Sequence, residues 1–314
     1  MIPSSRAAIP GISRSRRFFR DVKASRYKYL MVLPVLVYLF LFHYKPMFGI
    51  VIAFKDYRVS RGIMASPWVG LKHFRAFFSD IYFWRLIRNT VTISGLNILF
   101  GFPMPILLAL SLNEVNSQRF KRTVQTLSYM PYFISVVVVS GLLTSYCATN
   151  GVFNDIAVFL GGNRQNLLMN KNLFYLLYIG SDIWQGIGWN SIIYLAALSS
   201  IDMEQYEAAR IDGANRFQQM LHITLPGLLP TIVILFILRM GSILSVGSDK
   251  ILLLYQPLTY EVADVISTFN YRRGLVDADY SFGTAVGLFN SAVNIFFLLL
   301  TNTISRRVSE NSLF

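Results

Sequence analysis

The chain has 314 residues, 54% of them hydrophobic and 14% charged, with a mean hydropathy of +0.48. A soluble domain typically carries about 25% charged residues, so this composition excludes an ordinary soluble fold and predicts a polytopic membrane protein. The net charge of +13 would suggest nucleic acid in a soluble protein; in so apolar a chain it marks basic residues beside membrane helices, with no nucleic-acid partner.

In chain order, residues 1–28 form a basic segment in which Arg6, Arg14, Arg16, Arg17, Arg20, Lys23, Arg26 and Lys28 face a single Asp21. This bias places the N-terminus in the cytoplasm, where the segment touches anionic lipid headgroups. It is not a cleavable signal, because the apolar run behind it is long and no small-residue cleavage site follows. A bilayer needs about 20 apolar residues of helix. Six runs qualify: Tyr29 to Phe54, Asn89 to Asn113, Thr123 to Asn154, Ile183 to Ile201, Phe217 to Leu238 and Tyr280 to Ser305. Lys45 interrupts the first and can snorkel to the surface.

The predicted class is therefore an all-α membrane protein of about six transmembrane helices with both termini cytoplasmic. The transmembrane domain spans residues 29–305 and a short tail covers 306–314. Arg119, Lys121, Arg122, Arg306 and Arg307 fall inside as the charge rule requires, whereas Lys55, Arg58, Arg61, Lys72 and Arg75 fall outside against it. The exterior loop from Lys55 to Arg85 reads as a strand or turn followed by a helix, with Phe74, Phe77, Phe78, Ile81 and Trp84 at helical spacing. That apolar face either lies on the outer surface or packs against the spans. The lone Cys147 forms no internal disulfide and reads as a small buried hydrophobe.

Small and polar residues recur on single helix faces, which in lipid turn toward protein or water. Ser94, Asn97 and Gly101 share one face of the second span, ahead of the kinking Pro103 and Pro105. Gly283, Gly287, Asn290, Ser291 and Asn294 share a face of the sixth. Asp182 heads the fourth span, and Arg239 lies in or near the end of the fifth. An arginine at the bilayer centre costs roughly 2.5–3.5 kcal/mol, so Arg239 lines a watery path, pairs with an acid or sits at an interface.

The connection between the fourth and fifth spans, about 202–225, contains EAARIDGANRFQQMLHITLP from Glu207 to Pro226. It reads as a helix-turn-helix: Met203 to Ile211, a corner at Gly213, then Asn215 to Leu221, with Pro226 at the entry of the next span. Ala208 and Ala209 permit close approach by another protein, and Glu207 and Arg210 offer it charge.

Glu207, Ala208 and Ala209, Gly213 four residues on, then nine residues and Ile223, Leu225 and Pro226 match without a gap a known signature. It is that of permease subunits in bacterial binding-protein-dependent ABC importers. The stretch LPVLVYLFLFHYKPMFGIVIAFKDY, Leu33 to Tyr57, resembles the carbohydrate branch of the same family. The resemblance implies a type I importer with two permeases, favouring two different ones, two cytoplasmic ATPase subunits and an extracytoplasmic solute-binding protein, in a bacterial cytoplasmic membrane. It also implies that Glu207, Ala208, Ala209, Arg210, Asp212 and Gly213 belong to the element that couples to the ATPase.

No GxxxxGK[ST] phosphate loop occurs in the chain, so ATP and Mg belong to the partner, no cofactor or metal is expected here, and the chain is not itself an enzyme. Aromatic, amide and charged side chains that suit a carbohydrate on the path are Trp184, Gln185, Trp189, Asn190, Tyr194, Arg239, Asn290 and Asn294. Exterior basic residues and the acids Asp249, Glu261, Asp264, Asp277 and Asp279 leave acidic, uronate-type and neutral sugars both open. The rival is a self-sufficient, ion-gradient-driven carrier, which would want acids deep in the spans, where only Asp182 comes near.

Overall fold

The structure, a computed structural model, describes residues 25–308 and 312–313; the headgroup contact expected of the basic segment falls largely on residues outside this range. Among the described residues no strand forms, and Lys55 and Trp68 make an isolated antiparallel bridge. We number the main helices α1 Arg26–Phe54, α2 Lys72–Phe78, α3 Phe83–Asn113, α4 Gln118–Tyr129, α5 Val136–Cys147 and α6 Val152–Phe159. The chain continues through α7 Lys171–Leu198, α8 Met203–Ile211, α9 Arg216–Met240, α10 Ser248–Leu254 and α11 Tyr280–Val308. By length and composition α1, α3, α5 with α6, α9 and α11 can each cross a membrane. The helix α7, 28 residues and so about 42 Å long, has the length for a sixth crossing but is less apolar than those five. Its lower apolarity comes from Ser181, Asp182, Gln185, Asn190 and Ser191 in its middle.

Two expected boundaries are corrected. The run Thr123 to Asn154 is not one helix: Pro131 has no N–H to continue the ladder, Ile134 is extended, and Ser135 restarts a helix by accepting the Val138 N–H at 3.4 Å. The fourth span begins at Lys171 rather than Ile183, because a charge-free window stops at Asp182 whereas a helix that pairs its acid need not.

Three prolines of the spans, Pro46, Pro103 and Pro226, are absorbed by widened turns. The segments Phe40–Tyr44, Asn97–Gly101 and Met220–Thr224 are π-helical, and each closes with a backbone bond from the residue before a proline to a carbonyl five residues back: Lys45 to Phe40, Phe102 to Asn97, Leu225 to Met220. Widening the turn moves away the carbonyl that the proline ring would strike and leaves no donor missed. The second short helix of the 202–225 loop therefore runs without interruption through Pro226 into α9.

Packing is uneven along the chain. No residue from Arg26 to Met47 is buried, as suits an apolar helix solvated by lipid. The C-terminal end of α1 instead packs on α11, where the Tyr57 N–H and the Lys55 carbonyl both bond the Ser281 hydroxyl. The amphipathic stretch after it divides between burial and exposure. Phe77 is 1% exposed among Phe78, Phe83, Phe282 and Phe289, whereas Ile81 and Trp84 are exposed. Cys147 is buried, in the cluster that joins α3, α5, α7 and α10.

Where α7 crosses α4, Gly188 rests directly on the Ser128 backbone, and a Cβ added there would overlap the Ser128 carbonyl and approach its Cβ to 2.9 Å. Gly188→Ala is expected to destabilise the fold by about 1–3 kcal/mol through overpacking, read as a lowered Tm in detergent. An unchanged Tm would show that this crossing contributes nothing to stability.

Candidate functional site

Four elements bring polar side chains together in the middle of the bundle. The π-turn of α3 carries Asn97, whose Nδ2 donates to Asp182 Oδ2 of α7 at 3.2 Å and whose Oδ1 accepts from Arg239 Nη2 of α9 at 2.8 Å. Asp182 Oδ1 accepts from Lys250 Nζ of α10 at 2.6 Å, and that ammonium stands 5.1 Å from the Tyr178 ring centroid. Gly101 makes room for the amide: a Cβ there would come within 2.6 Å of Asn97 Oδ1. Lys250, Asp182, Asn97 and Arg239 thus form one hydrogen-bonded chain across α10, α7, α3 and α9. The Lys250 side chain is 5% exposed and its carboxylate partner 29%, and a charge that deep persists because it is paired.

Two cavities meet at this chain. One of about 450 Å³ opens toward the 202–225 loop and is lined by Phe102, Pro105, Asn190, Tyr194 and Leu235. The other, about 390 Å³, opens toward the 247–279 end and is lined by Ser94, Tyr178, Gln185, Ser245, Asp249 and Lys250. Asn97, Asp182, Arg239 and Ser242 border both. Sizes and mixed linings of this kind suit a polar ligand.

The residues singled out for the path divide. Gln185, Asn190, Tyr194 and Arg239 line the cavities, Gln185 while donating to the Ile134 carbonyl at 2.9 Å. Trp189 instead stacks on Tyr132 with ring centroids 4.6 Å apart, and Trp184 lines a separate apolar groove with Leu142, Tyr146 and Phe153. Asn294 ties α11 to the end of α9, accepting from the Leu244 N–H at 3.0 Å and donating to Ser245. Asn290 buries an amide oxygen for which the described residues supply no donor. Of these eight, four meet around the cavities and four do not. Sequence reasoning did not single out Lys250, although a lysine in GSDKILLLY, just past an apolar span, needs a partner.

The 202–225 loop is built by its own local rules. Asp202 caps α8 by accepting the Glu204 N–H at 3.0 Å, and Gly213, at φ +82°, ends it. The Ala214 N–H bonds the Ala209 carbonyl at 2.8 Å and the Gly213 N–H bonds that of Arg210 at 3.1 Å, the paired closure that a left-handed residue permits. Asn215 and Gln218 then cap α9 reciprocally. The Tyr206 hydroxyl meets Thr224 Oγ1 at 3.0 Å and clamps the two helices. Glu207, Ala208, Arg210, Asp212 and Gly213 are exposed and Ala209 half-buried, with Met203, Ile211 and Phe217 exposed around them. Charges and bare apolar groups together on a protruding corner make a surface shaped for another protein.

At the opposite end, Asp264 is fully buried between Arg272 and Arg85, at 2.8 and 3.1 Å, and accepts from Thr268 at 2.8 Å. Asn89 of α3 donates to the Glu261 and Asp264 carbonyls, both at 2.9 Å. Lys171, at the start of α7, pairs with Glu261, and this hydrogen bond holds the Glu261 carboxyl below its ordinary range.

A multi-pass helical bundle with a charged seam between two cavities and a protruding helix-turn-helix defines a membrane transport subunit. The chain belongs to the family described as binding-protein-dependent transport system inner membrane component, whose model matches residues 101–310. It is 43% identical over 313 residues to the polygalacturonan/rhamnogalacturonan transport system permease protein YteP of Bacillus subtilis (strain 168), covering 99% of this chain and 98% of that one. It is 42% identical to the protein LplB of the same organism, covering 93% and 92%. A crystal structure of a bacterial ABC transporter involved in the import of the acidic polysaccharide alginate matches with a TM-score of 0.87 and 46% identity, over 93% of this chain and 99% of that one. The crystal structure of bacterial alginate ABC transporter in complex with an alginate pentasaccharide-bound periplasmic protein matches with a TM-score of 0.87 and 45% identity, covering 95% and 100%. The chain is a permease subunit of a carbohydrate ABC importer.

Proposed function

We propose that this permease forms, with a second and different permease, the path by which an acidic oligosaccharide enters a bacterial cell, driven by ATP hydrolysis in a cytoplasmic ATPase dimer. The observation that carries the reading is the exposed helix-turn-helix, with the family signature laid on its corner. ATP and Mg belong to the partner. Glu207 makes a charged contact with the ATPase, to which Arg210 also offers charge, Ala208 and Ala209 let the two surfaces seat closely, Asp212 belongs to the same coupling element, and Gly213 shapes the corner. ATP-driven closure of the ATPase pair draws the coupling loops together, and rigid helices turn that motion into an outward-facing cavity.

The loop faces the cytoplasm, as do both termini, and an extracytoplasmic binding protein delivers the sugar to the 247–279 end. The acidic class is supported by the relatives named above and by the seam, which holds two cations, Arg239 and Lys250, against one carboxylate, Asp182. An ion-gradient carrier is disfavoured, because that carboxylate is already engaged by Lys250 and Asn97.

The test is to purify the tagged chain from native membranes in mild detergent, identify its companions by mass spectrometry and measure ATP hydrolysis. Recovery of an ATPase, a second permease and uronate-stimulated hydrolysis is expected. A chain recovered alone, under conditions that hold a known importer together, would overturn the reading. Glu207→Ala removes one side of a contact of a kind worth about 2–5 kcal/mol, and should release the ATPase while leaving the Tm unchanged.

A further inference from the structure

Arg239 and Lys250 occupy unlike positions on the same seam. Lys250 is buried and held by a carboxylate. Arg239 is exposed and borders both cavities, and among the described residues its guanidinium donates one hydrogen bond, to the neutral amide oxygen of Asn97. A guanidinium offers five donors in a planar fork that a carboxylate fits in bidentate fashion. Its present partner is thus the weakest acceptor on the seam. The amide that accepts from Arg239 donates to Asp182 with its other end, so one side chain carries the hydrogen bonds that join α9, α3 and α7 on the seam.

We propose that Lys250, Asp182, Asn97 and Arg239 form a substrate-released latch between the two cavities, opened when a carboxylate of an acidic sugar replaces Asn97 as the partner of Arg239. The substrate class rests on the function proposed above; the latch itself rests only on the geometry. A carboxylate arriving from the cavity at the 247–279 end meets Arg239 before it meets the second cavity. Charge-assisted bonds are about twice as strong as neutral ones, so the exchange favours the sugar. The Asn97 oxygen then loses its donor, the hydrogen bond between α9 and α3 is undone, and the two cavities become continuous. A neutral sugar offers hydroxyls that are no better than the amide already in place, so it does not release the latch. Asp182 and Lys250 remain paired and supply the fixed hinge side.

The test uses the complete importer reconstituted in liposomes. One arm needs no sugar: efflux of an entrapped small neutral polar solute from vesicles containing wild type, Asn97→Ala or Gly101→Ala, the last displacing the Asn97 amide without removing it. Wild type is expected to be tight and both variants to leak at least several-fold faster. Variants as tight as wild type overturn the latch.

The second arm compares stimulation of ATP hydrolysis, and uptake, for a uronate oligosaccharide and the same oligosaccharide with its carboxyls reduced to alcohols. Arg239→Gln is expected to reduce the response to the uronate about tenfold or more and to bring the two substrates to within a factor of two. A uronate preference preserved in Arg239→Gln overturns the assignment of Arg239. Wild type moving neither sugar overturns the acidic-oligosaccharide reading instead, and the efflux arm still decides whether the seam closes the path.

Discussion

Asp264→Ala is expected to lower the thermal stability of the detergent-solubilised protein by more than any other single polar substitution at the 260–272 end of the bundle. Asp264 is fully buried, and its carboxylate holds Arg85 and Arg272 at 3.1 and 2.8 Å. Each guanidinium also lies over an aromatic ring, Arg85 on Tyr82 at 4.3 Å and Arg272 on Tyr260 at 5.4 Å, so neither can leave for water without exposing that ring. Burial disfavours the Arg272 charge, and the hydrogen bonds and charge of Asp264 outweigh it, so the pKa of Arg272 rises above the ordinary arginine value.

Removing one partner of a buried ion pair typically costs 3–5 kcal/mol. The arginine side chains here keep 28% and 30% of their surface, so partial hydration places the expected loss near the lower end, about 3 kcal/mol. For a chain of this size that is a fall in Tm on the order of 6 °C. Asp264→Asn keeps the shape and the Thr268 bond but not the charge, and should fall between. A Tm within about 1 °C of wild type for Asp264→Ala would mean that the network does not hold the 260–272 segment onto α3.

Gly213→Val is expected to abolish transport, losing about tenfold or more in uptake, while the bundle stays folded. The backbone at Gly213 has φ +82°, a region that costs an L residue roughly 1–2 kcal/mol and a β-branched one more. No atom lies within 4 Å of the position a Cβ would take, so the cost is conformational and not a clash. The chain can relieve it by abandoning the left-handed turn. The bonds from Ala214 to Ala209 and from Gly213 to Arg210 would then open, and Glu207 and Ala208 would leave the surface that presents them. Gly213→Asn, which tolerates the left-handed region, should retain much more uptake than Gly213→Val. Equal uptake by the valine variant and wild type would remove the corner from the coupling role proposed for it.

Much of this was legible because it is local. The bounds of α8, the left-handed Gly213 and the restart at Asn215 follow from capping residues and a glycine within a few positions of one another, and the structure has each where the spacing predicts it. The stripe of Ser94, Asn97 and Gly101 was legible too, since residues three and four apart share a helix face. Its consequences were not: Ser94 bonds the Ile243 carbonyl and Asn97 reaches Asp182 and Arg239, partners about 85 to 149 positions distant. The π-turns were hidden for another reason. A proline in a span predicts a kink, but whether the helix breaks, as after Pro131, or widens, as before Pro103 and Pro226, depends on what packs against it.

The sequence alone determined the all-α membrane class, the number of crossings to within one and the helix-turn-helix, since apolar length and local capping need no distant partner. Which polar side chains would face one another was settled by how the helices cross. An amide on a span face reads the same whether it holds a neighbouring loop, as Asn294 does, or meets an arginine between two cavities, as Asn97 does. Likewise, Lys250 looks like an ordinary loop cation until α10 folds back over α7 and buries it against Asp182. In a low-dielectric interior the energy of a charge depends on its nearest partner far more than on its own chemistry, and nothing in the order of residues along the chain specifies that partner.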